Sequence, residues 1–541
     1  MNVEHIELLV FGLLVAVAGL AVVARLARIP YPILLVLGGL AFGFIPGVPD
    51  VQLEPDLVLL LFLPPLLYAA AFFANLRELR LNARPIGLLA IGLVIATMLT
   101  VAVVAHEVVG LAWPVAFVLG AVVSPTDAVA PAQILRRLSA PRRVVSVVEG
   151  ENLTNDWTAL VAYKFAVAAV VTGSFSLLEA GPQFVYTGLA GVAVGVAAGA
   201  GIAAVRRRVE DPLTEITISL LTAYAAYLPA EEIGGSGVLA AVTAGVWLGW
   251  RASELTNHTT RLQLTAIWEL LVFLLNAVLF VLVGLQLPSV LDQLAGRTAG
   301  ELAAYGALIA VVVIVVRIGW VYVLTYLPRR LSRRLRERDP LPPWNQTTLV
   351  AWAGMRGSVS LAAALAIPTS IDSGAPFPDR DLVIFLAFCV ILATLVFQGL
   401  SMPALIRAMG IERDTVDQDE EMNARLEIAF AAIDQIDELA DEDWVAAQTV
   451  ERTRAMFDYR RRRFSSQIGN GLASGASDEE QEDDFDYEER AQAYQRFMHE
   501  VIGAQRAALR RLRDEGHVSD EVRRRVEYDL DLEQARISQA A

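Results

Sequence analysis

Five ionisable side chains stand in the interior of long apolar stretches: Asp127, Glu151, Asp156, Arg317 and Arg356. A charge in the middle of a membrane span costs about 2.5 kcal/mol or more on insertion scales, so each is a candidate for function. The densest group is Glu149-Gly150-Glu151-Asn152-Leu153-Thr154-Asn155-Asp156. On a helix, positions 152, 155 and 156 share one face, and 151 meets 155. That face offers amide and carboxylate oxygens, the ligands that hard cations prefer. A polar network that only ties helices together is the plainer alternative. Two further segments join polarity to helix breaking: Ser124-Pro125-Thr126-Asp127, with Pro131 a turn later, and Ala353-Gly354-Met355-Arg356-Gly357-Ser358. Such breaks free backbone groups for an ion and expose the partial charges of half-helix ends. Either break taken alone also fits a packing kink.

The chemistry follows from burial. A lone carboxylate withdrawn from water is costly as a bare charge. Asp156 escapes that cost by taking a proton or by coordinating a dehydrated cation such as Na⁺, and the two are mutually exclusive. If a neutralised form crosses the membrane and the empty anion does not, cation is exchanged for proton. Asn155, an amide, adds no second exchangeable proton, so electroneutral one-for-one exchange is expected.

These groups need a membrane-embedded frame. Hydrophobic residues make up 55% of the 541 and charged residues 19%, with mean hydropathy +0.49; charged residues normally supply about a quarter of a soluble chain. Apolar runs long enough to span a hydrocarbon core of about 30 Å occur near 6–24, 31–48, 55–74, 85–106, 112–135, 146–171, 184–205, 214–230, 236–250, 264–289, 301–327, 346–368 and 382–408. Backbone polar groups inside lipid must be satisfied within the segment, so these runs predict helices. The expected fold is an all-α polytopic membrane protein of about thirteen spans. The breaks fall in the fifth and twelfth, corresponding positions of two inverted six-helix repeats. At about 1.5 Å per residue, Asp156 lies about 15 Å from the cytoplasmic end of the sixth span, with Asp127, Arg317 and Arg356 at similar depth.

The loops after odd-numbered spans carry Arg25, Arg77, Arg136, Arg206, Arg251, Arg329 and many more arginines, whereas the alternate loops carry only Arg297 and Arg380. Under the positive-inside rule this places the N-terminus outside and the C-terminus in the cytoplasm of a plasma-membrane protein. The first run lacks a basic segment before it and a small-residue cleavage site after it, and reads as a retained helix. Cys389, the single cysteine, excludes a disulfide framework. The formal charge of −15 belongs to the tail: from Glu412 onward stand 33 of the 59 acids and 18 of the 44 basic residues. The expected division is 1–410 for the transmembrane domain and 411–541 for a cytoplasmic, acidic, helical tail. A disordered linker is expected near 470–489, either a spacer or a regulatory element. Lys164, the only lysine, is expected to snorkel to the outer interface. Glu269 and Asn276 fit either a funnel or a polar seam. Nothing points to nucleic-acid binding.

Glu151-Asn152-Leu153-Thr154-Asn155-Asp156 resembles the Asn-Asp helix of the monovalent cation:proton antiporter-1 family, the sodium/proton exchangers, in their bacterial NhaP-like form. Ser124-Pro125-Thr126-Asp127 resembles that family's unwound Thr-Asp helix, and Leu63-Pro64-Pro65-Leu66-Leu67 its Pro-Pro segment. Gly354-Met355-Arg356-Gly357 and Arg317-Ile318-Gly319-Trp320-Val321 resemble two more of its motifs. The resemblance covers 6–408. It implies that Asp156 binds cation or proton, that Asp127, Thr126, Asn155 and Asn152 shape the site, and that Glu151 pairs with Arg317. It further implies that Arg356 compensates helix ends and tunes the pH response. Electroneutrality requires the Glu151–Arg317 pair to stay ionised. A homodimer in membrane lipid, acting in pH and Na⁺ homeostasis without a cofactor, is also implied; any ligand of the tail is unknown. Two departures bear on selectivity: Tyr68-Ala69-Ala70 stands where the family often has an acid or small polar residue, and Asn152 where it often has Ser. A channel, a tail-signalling sensor and a cation-coupled symporter of an organic anion are the competing readings, the symporter foremost.

Overall fold

The computed structural model describes residues 3–27, 29–45, 55–127, 129–173, 177–209, 211–256, 258–294 and 296–411, together with 430–440, 447–472 and scattered single positions of the tail. All regular structure among the described residues is helical, apart from one isolated bridge between Ser370 and Pro376. The chain divides into two compact units, Met1–Asp414 and Thr415–Ala541.

The first unit runs α1 (Val3–Ala27), α2 (Tyr31–Gly43), α3 (Pro55–Phe72), α4 (Ala83–Val109), α5 (Trp113–Val123), α6 (Val129–Arg137) and α7 (Arg142–Thr172). It continues with α8 (Leu177–Arg206), α9 (Pro212–Glu232), α10 (Gly237–Trp250), α11 (His258–Gln293), α12 (Ala299–Leu331), α13 (Trp344–Trp352), α14 (Ser358–Leu365) and α15 (Arg380–Ala408). Among the described residues, five segments are long and apolar enough to cross a membrane: α4, α12, α15, Gly181–Arg206 of α8 and Thr260–Gln293 of α11. Shorter apolar helices accompany them, among them Trp113–Val123 and Gly237–Trp250. The helix carrying Asp156, α7, is 31 residues long, yet its charges keep it from reading as a simple apolar span.

Local chemistry sets the helix ends. The Asp211 carboxylate accepts from the Thr214 N–H at 2.8 Å and starts α9, and Thr298 with Glu301 forms a capping box at the start of α12. Gly110 and Gly173 close α4 and α7 with φ of 83° and 71°, a region that favours glycine. Two predicted spans are interrupted: Ser124–Asp127 separates α5 from α6, and Ala353–Gly357 separates α13 from α14.

The helices pack as two groups, α1–α3 with α8–α11, and α4–α7 with α12–α15. Lipid gives no hydrophobic drive for helix association, so close approach of small residues matters. Where α2 crosses α11, a Cβ on Gly39 would meet the backbone of Val281, and one on Gly284 the backbone of Gly39 and Leu40. The two backbones therefore touch directly. In the second unit, α16 (Ala447–Leu472) is tied by Arg454 to Asp437, and Arg461 lies over Phe430 at 5.8 Å. Of the linker expected near 470–489, residues 470–472 are helical and end α16, and 473–489 lie outside the described residues. Of Phe497–Leu512, only Ile502, Gly503, Gln505 and Arg511 are described, and they are helical.

Candidate functional site

The two helix breaks meet. The Asp127 N–H donates to the Met355 carbonyl at 2.8 Å, and the Ser360 hydroxyl to the Pro125 carbonyl at 3.3 Å. Each break thus satisfies backbone groups that the other leaves free, as buried polar backbone requires. Glycine is needed at 357, because a Cβ there would run into the Asp127 carboxylate. Asp127 Oδ1 accepts from the Val129 N–H at 3.0 Å and so caps the new start of α6. Its Oδ2 is buried with no hydrogen-bond partner.

Beside the crossing, α7 supplies a directed chain of hydrogen bonds. The Asn155 amide Nδ2 donates to Thr126 Oγ1 at 2.6 Å, and Thr126 Oγ1 donates to Glu151 Oε1 at 3.2 Å. Glu151 is gripped at both oxygens by Arg317, at 2.5 Å from Nη1 and 2.9 Å from Nη2. Both partners are 1% exposed. The same guanidinium donates from Nε to the Ala351 carbonyl at 3.1 Å and from Nη2 to the Val350 carbonyl at 2.9 Å. Those carbonyls end α13, so Arg317 also neutralises a half-helix C-terminus. Gly354 gives the room, since a Cβ there would strike the Arg317 side chain.

A cavity of about 240 Å³ lies between the two helix groups. Thr126, Asp127, Asn152, Asp156, Gly357 and Ser358 line it from one group, and Ala69, Ala70, Trp268, Glu269 and Asn276 from the other. Asp156 is 1% exposed, and its Oδ1, like the Oδ1 of Asn152, is buried without a hydrogen-bond partner. Asn155 acts one step back, holding Thr126 in the break. Arg356 is fully buried: its N–H donates to Thr394 Oγ1 at 3.0 Å and its Nη1 to the Gly354 carbonyl at 3.4 Å.

Sequence reasoning missed the Val350 and Ala351 carbonyls, Ser360 and Thr394. Backbone carbonyls and common hydroxyls carry no pattern that marks them. Lys164 is exposed, its Nζ lies 2.5 Å from Glu231 Oε2, and Glu231 Oε1 accepts from the Gly237 N–H at 2.9 Å. Outside the spans, Asp339 is partly buried, which opposes its charge. Hydrogen bonds from Arg143 and the charge of Arg329 outweigh that burial and hold its carboxyl below the usual range. Among the described residues no set of three or more His, Cys, Asp or Glu side chains could hold a metal as a resident centre.

The sodium/hydrogen exchanger transmembrane family matches residues 12–408. An uncharacterized Na⁺/H⁺ exchanger of Mycobacterium bovis is 38% identical over 539 residues, covering 98% of this chain and 97% of that one. A sodium, potassium, lithium and rubidium/H⁺ antiporter of Bacillus pumilus is 33% identical, over 81% of this chain and 67% of its own length. The Na⁺/H⁺ antiporter ApNhaP of Aphanothece halophytica is 35% identical over 76% of each chain. The fold is similar to that of the sodium proton antiporter MjNhaP1 of Methanocaldococcus jannaschii, with TM-score 0.60 at 20% identity, over 76% of this chain and 100% of that one. The chain belongs to the sodium/hydrogen exchanger family, the monovalent cation:proton antiporters of the membrane.

Proposed function

We propose that the protein exchanges Na⁺ for H⁺ across the plasma membrane, one for one and without net charge movement, by competition of the two ions for Asp156. One observation carries the reading: Asp127 Oδ2 and Asp156 Oδ1, two buried carboxylate oxygens without donors, belong to residues lining one cavity beside two crossed helix breaks. A site of bare acceptors suits a cation, or a proton in its place, and repels an anion. Asp127 is committed on one side to capping α6, so Asp156 is the freer carboxylate and the one that exchanges its occupant. Asn152 and Thr126 add neutral oxygens. Behind the site, each oxygen of Glu151 is held by a guanidinium nitrogen of Arg317.

Alternating access would come from rocking of the α4–α7 and α12–α15 group against the other around the ion. The frame is thirteen spans in two inverted repeats, N-terminus outside and tail in the cytoplasm. The protein acts as a homodimer, and its cellular role is pH and Na⁺ homeostasis. A symporter of an organic anion would need basic groups facing the substrate. Among the described residues that line the cavity, none is basic.

The test is proton efflux from reconstituted vesicles, followed with a pH dye on adding Na⁺, K⁺ or Li⁺. A cation-dependent pH change that is lost in Asp156→Asn, with insertion intact, is expected. Retained flux in Asp156→Asn would overturn the assignment, and dependence on an imposed membrane potential would overturn electroneutrality.

A further inference from the structure

The family motifs place oxygen donors on α7 and the two breaks. The facing wall of the cavity comes from α3 and α11, in the other helix group. On α3 that wall is Ala69 and Ala70, with no side-chain oxygen to offer. On α11, Trp268 has only an N–H, which donates to Ser219 Oγ at 3.1 Å, and Glu269 is exposed. Asn276 is different. It lines the cavity and is 1% exposed. Its Nδ2 donates to the Val272 carbonyl at 3.0 Å, one turn back on its own helix. That bond sets the amide's orientation and leaves Oδ1 as the unbonded atom, buried with no donor. An acceptor left so has lost its water without a replacement donor.

We infer that Asn276 Oδ1 is a ligand to the transported cation, supplied by the facing wall, and that it sets which monovalent cation is preferred. The inference rests on the reading of Asp156 as the exchange site. Asp127 Oδ2, Asp156 Oδ1, Asn152 Oδ1 and Asn276 Oδ1 are four buried acceptors, all without donors, on residues around one cavity. A cation is drawn to such acceptors, whereas an anion or a further acceptor satisfies none of them. An amide suits the position because it completes the oxygen shell without adding a charge or a second proton site. Since Asn276 stands on the opposite group, its distance from Asp156 changes as the groups rock, and the shell closes only when they close around the ion. A shell built across two rigid groups discriminates by ion size more sharply than one built on a single helix.

The experiment measures apparent KM and maximal flux for Na⁺, Li⁺ and K⁺ in vesicles holding wild type, Asn276→Ala, Asn276→Leu and Asn276→Ser. Asn276→Leu keeps the branching at Cγ without oxygen, so it reads the same quantity if the alanine variant does not fold. Loss of the ligand should raise KM for the preferred ion roughly tenfold, with maximal flux within roughly twofold of wild type. It should also change the ratio of KM values among the three ions. Asn276→Ser, which returns an oxygen, should recover part of the shift. Equal loss of maximal flux for all ions, with KM and its ratios unchanged, would mean that Asn276 only ties the helix together and would overturn the inference. A wild type without cation-dependent flux would instead overturn the exchange reading beneath it.

Discussion

Replacing Glu151 by glutamine keeps its shape and removes the charge that both Nη atoms of Arg317 grip, at 2.5 and 2.9 Å. Both side chains are 1% exposed. Removing one partner of such a pair costs about 3–5 kcal/mol, because the other charge is left buried and uncompensated. Arg317 would keep its bonds to the Val350 and Ala351 carbonyls, so Glu151→Gln should fall at the lower end, about 3 kcal/mol. Arg317→Met loses those two bonds as well, uncaps α13, and leaves Glu151 with Thr126 alone. Its cost should be about 5 kcal/mol or more. The double variant removes both charges of the pair, so it should be less damaging than the sum of the singles by about 2–3 kcal/mol. Reversible unfolding of the four proteins in mixed micelles closes this double-mutant cycle. Single effects that add within about 0.5 kcal/mol would refute the coupling. A cost below about 1 kcal/mol for Glu151→Gln would refute the account of a buried, uncompensated arginine.

At the helix crossing, Gly357→Ala puts a Cβ into the Asp127 carboxylate; transport should fall by roughly tenfold or more while insertion is kept, and unchanged flux would show that the break tolerates displacement of Asp127. Outside the spans, Asp339 joins Arg84, Arg143 and Arg329. Because its folded pKa lies below the unfolded value, its contribution is present above about pH 4 and is lost as pH falls through the folded value. The stability difference between wild type and Asp339→Asn, about 1 kcal/mol, should therefore be flat above about pH 5 and shrink in more acid solution. A difference that grows on acidification would contradict the sign.

The polar string on α7 and both helix breaks are legible in the sequence because they are local. A mid-span Asp is costly wherever its helix packs, Pro125 and Gly354 interrupt a helix whatever lies opposite, and the face shared by 152, 155 and 156 follows from helical pitch alone. Apolar run length likewise announces membrane helices before any contact is known. Asn276 was visible as a polar residue in an apolar run, but its spacing from Glu269 fits a funnel and a seam equally. Only burial of its Oδ1 and the bond from its Nδ2 to Val272 separate the two.

The sequence by itself therefore determined the membrane class, the helix that carries Asp156 and the two segments that unwind. The tertiary structure decided which of these polar groups meet: the Asp127 N–H on the Met355 carbonyl, Asn155 spent on Thr126 instead of facing the cavity, and Arg317 shared between Glu151 and the end of α13. It also decided that α3 and α11 wall the cavity. These pairings join residues far apart in the chain. They depend on where helices cross, and crossings are set by small residues such as Gly39 and Gly284 letting two backbones touch. Periodicity tells which face of a helix is apolar, but not which helix will lie against it.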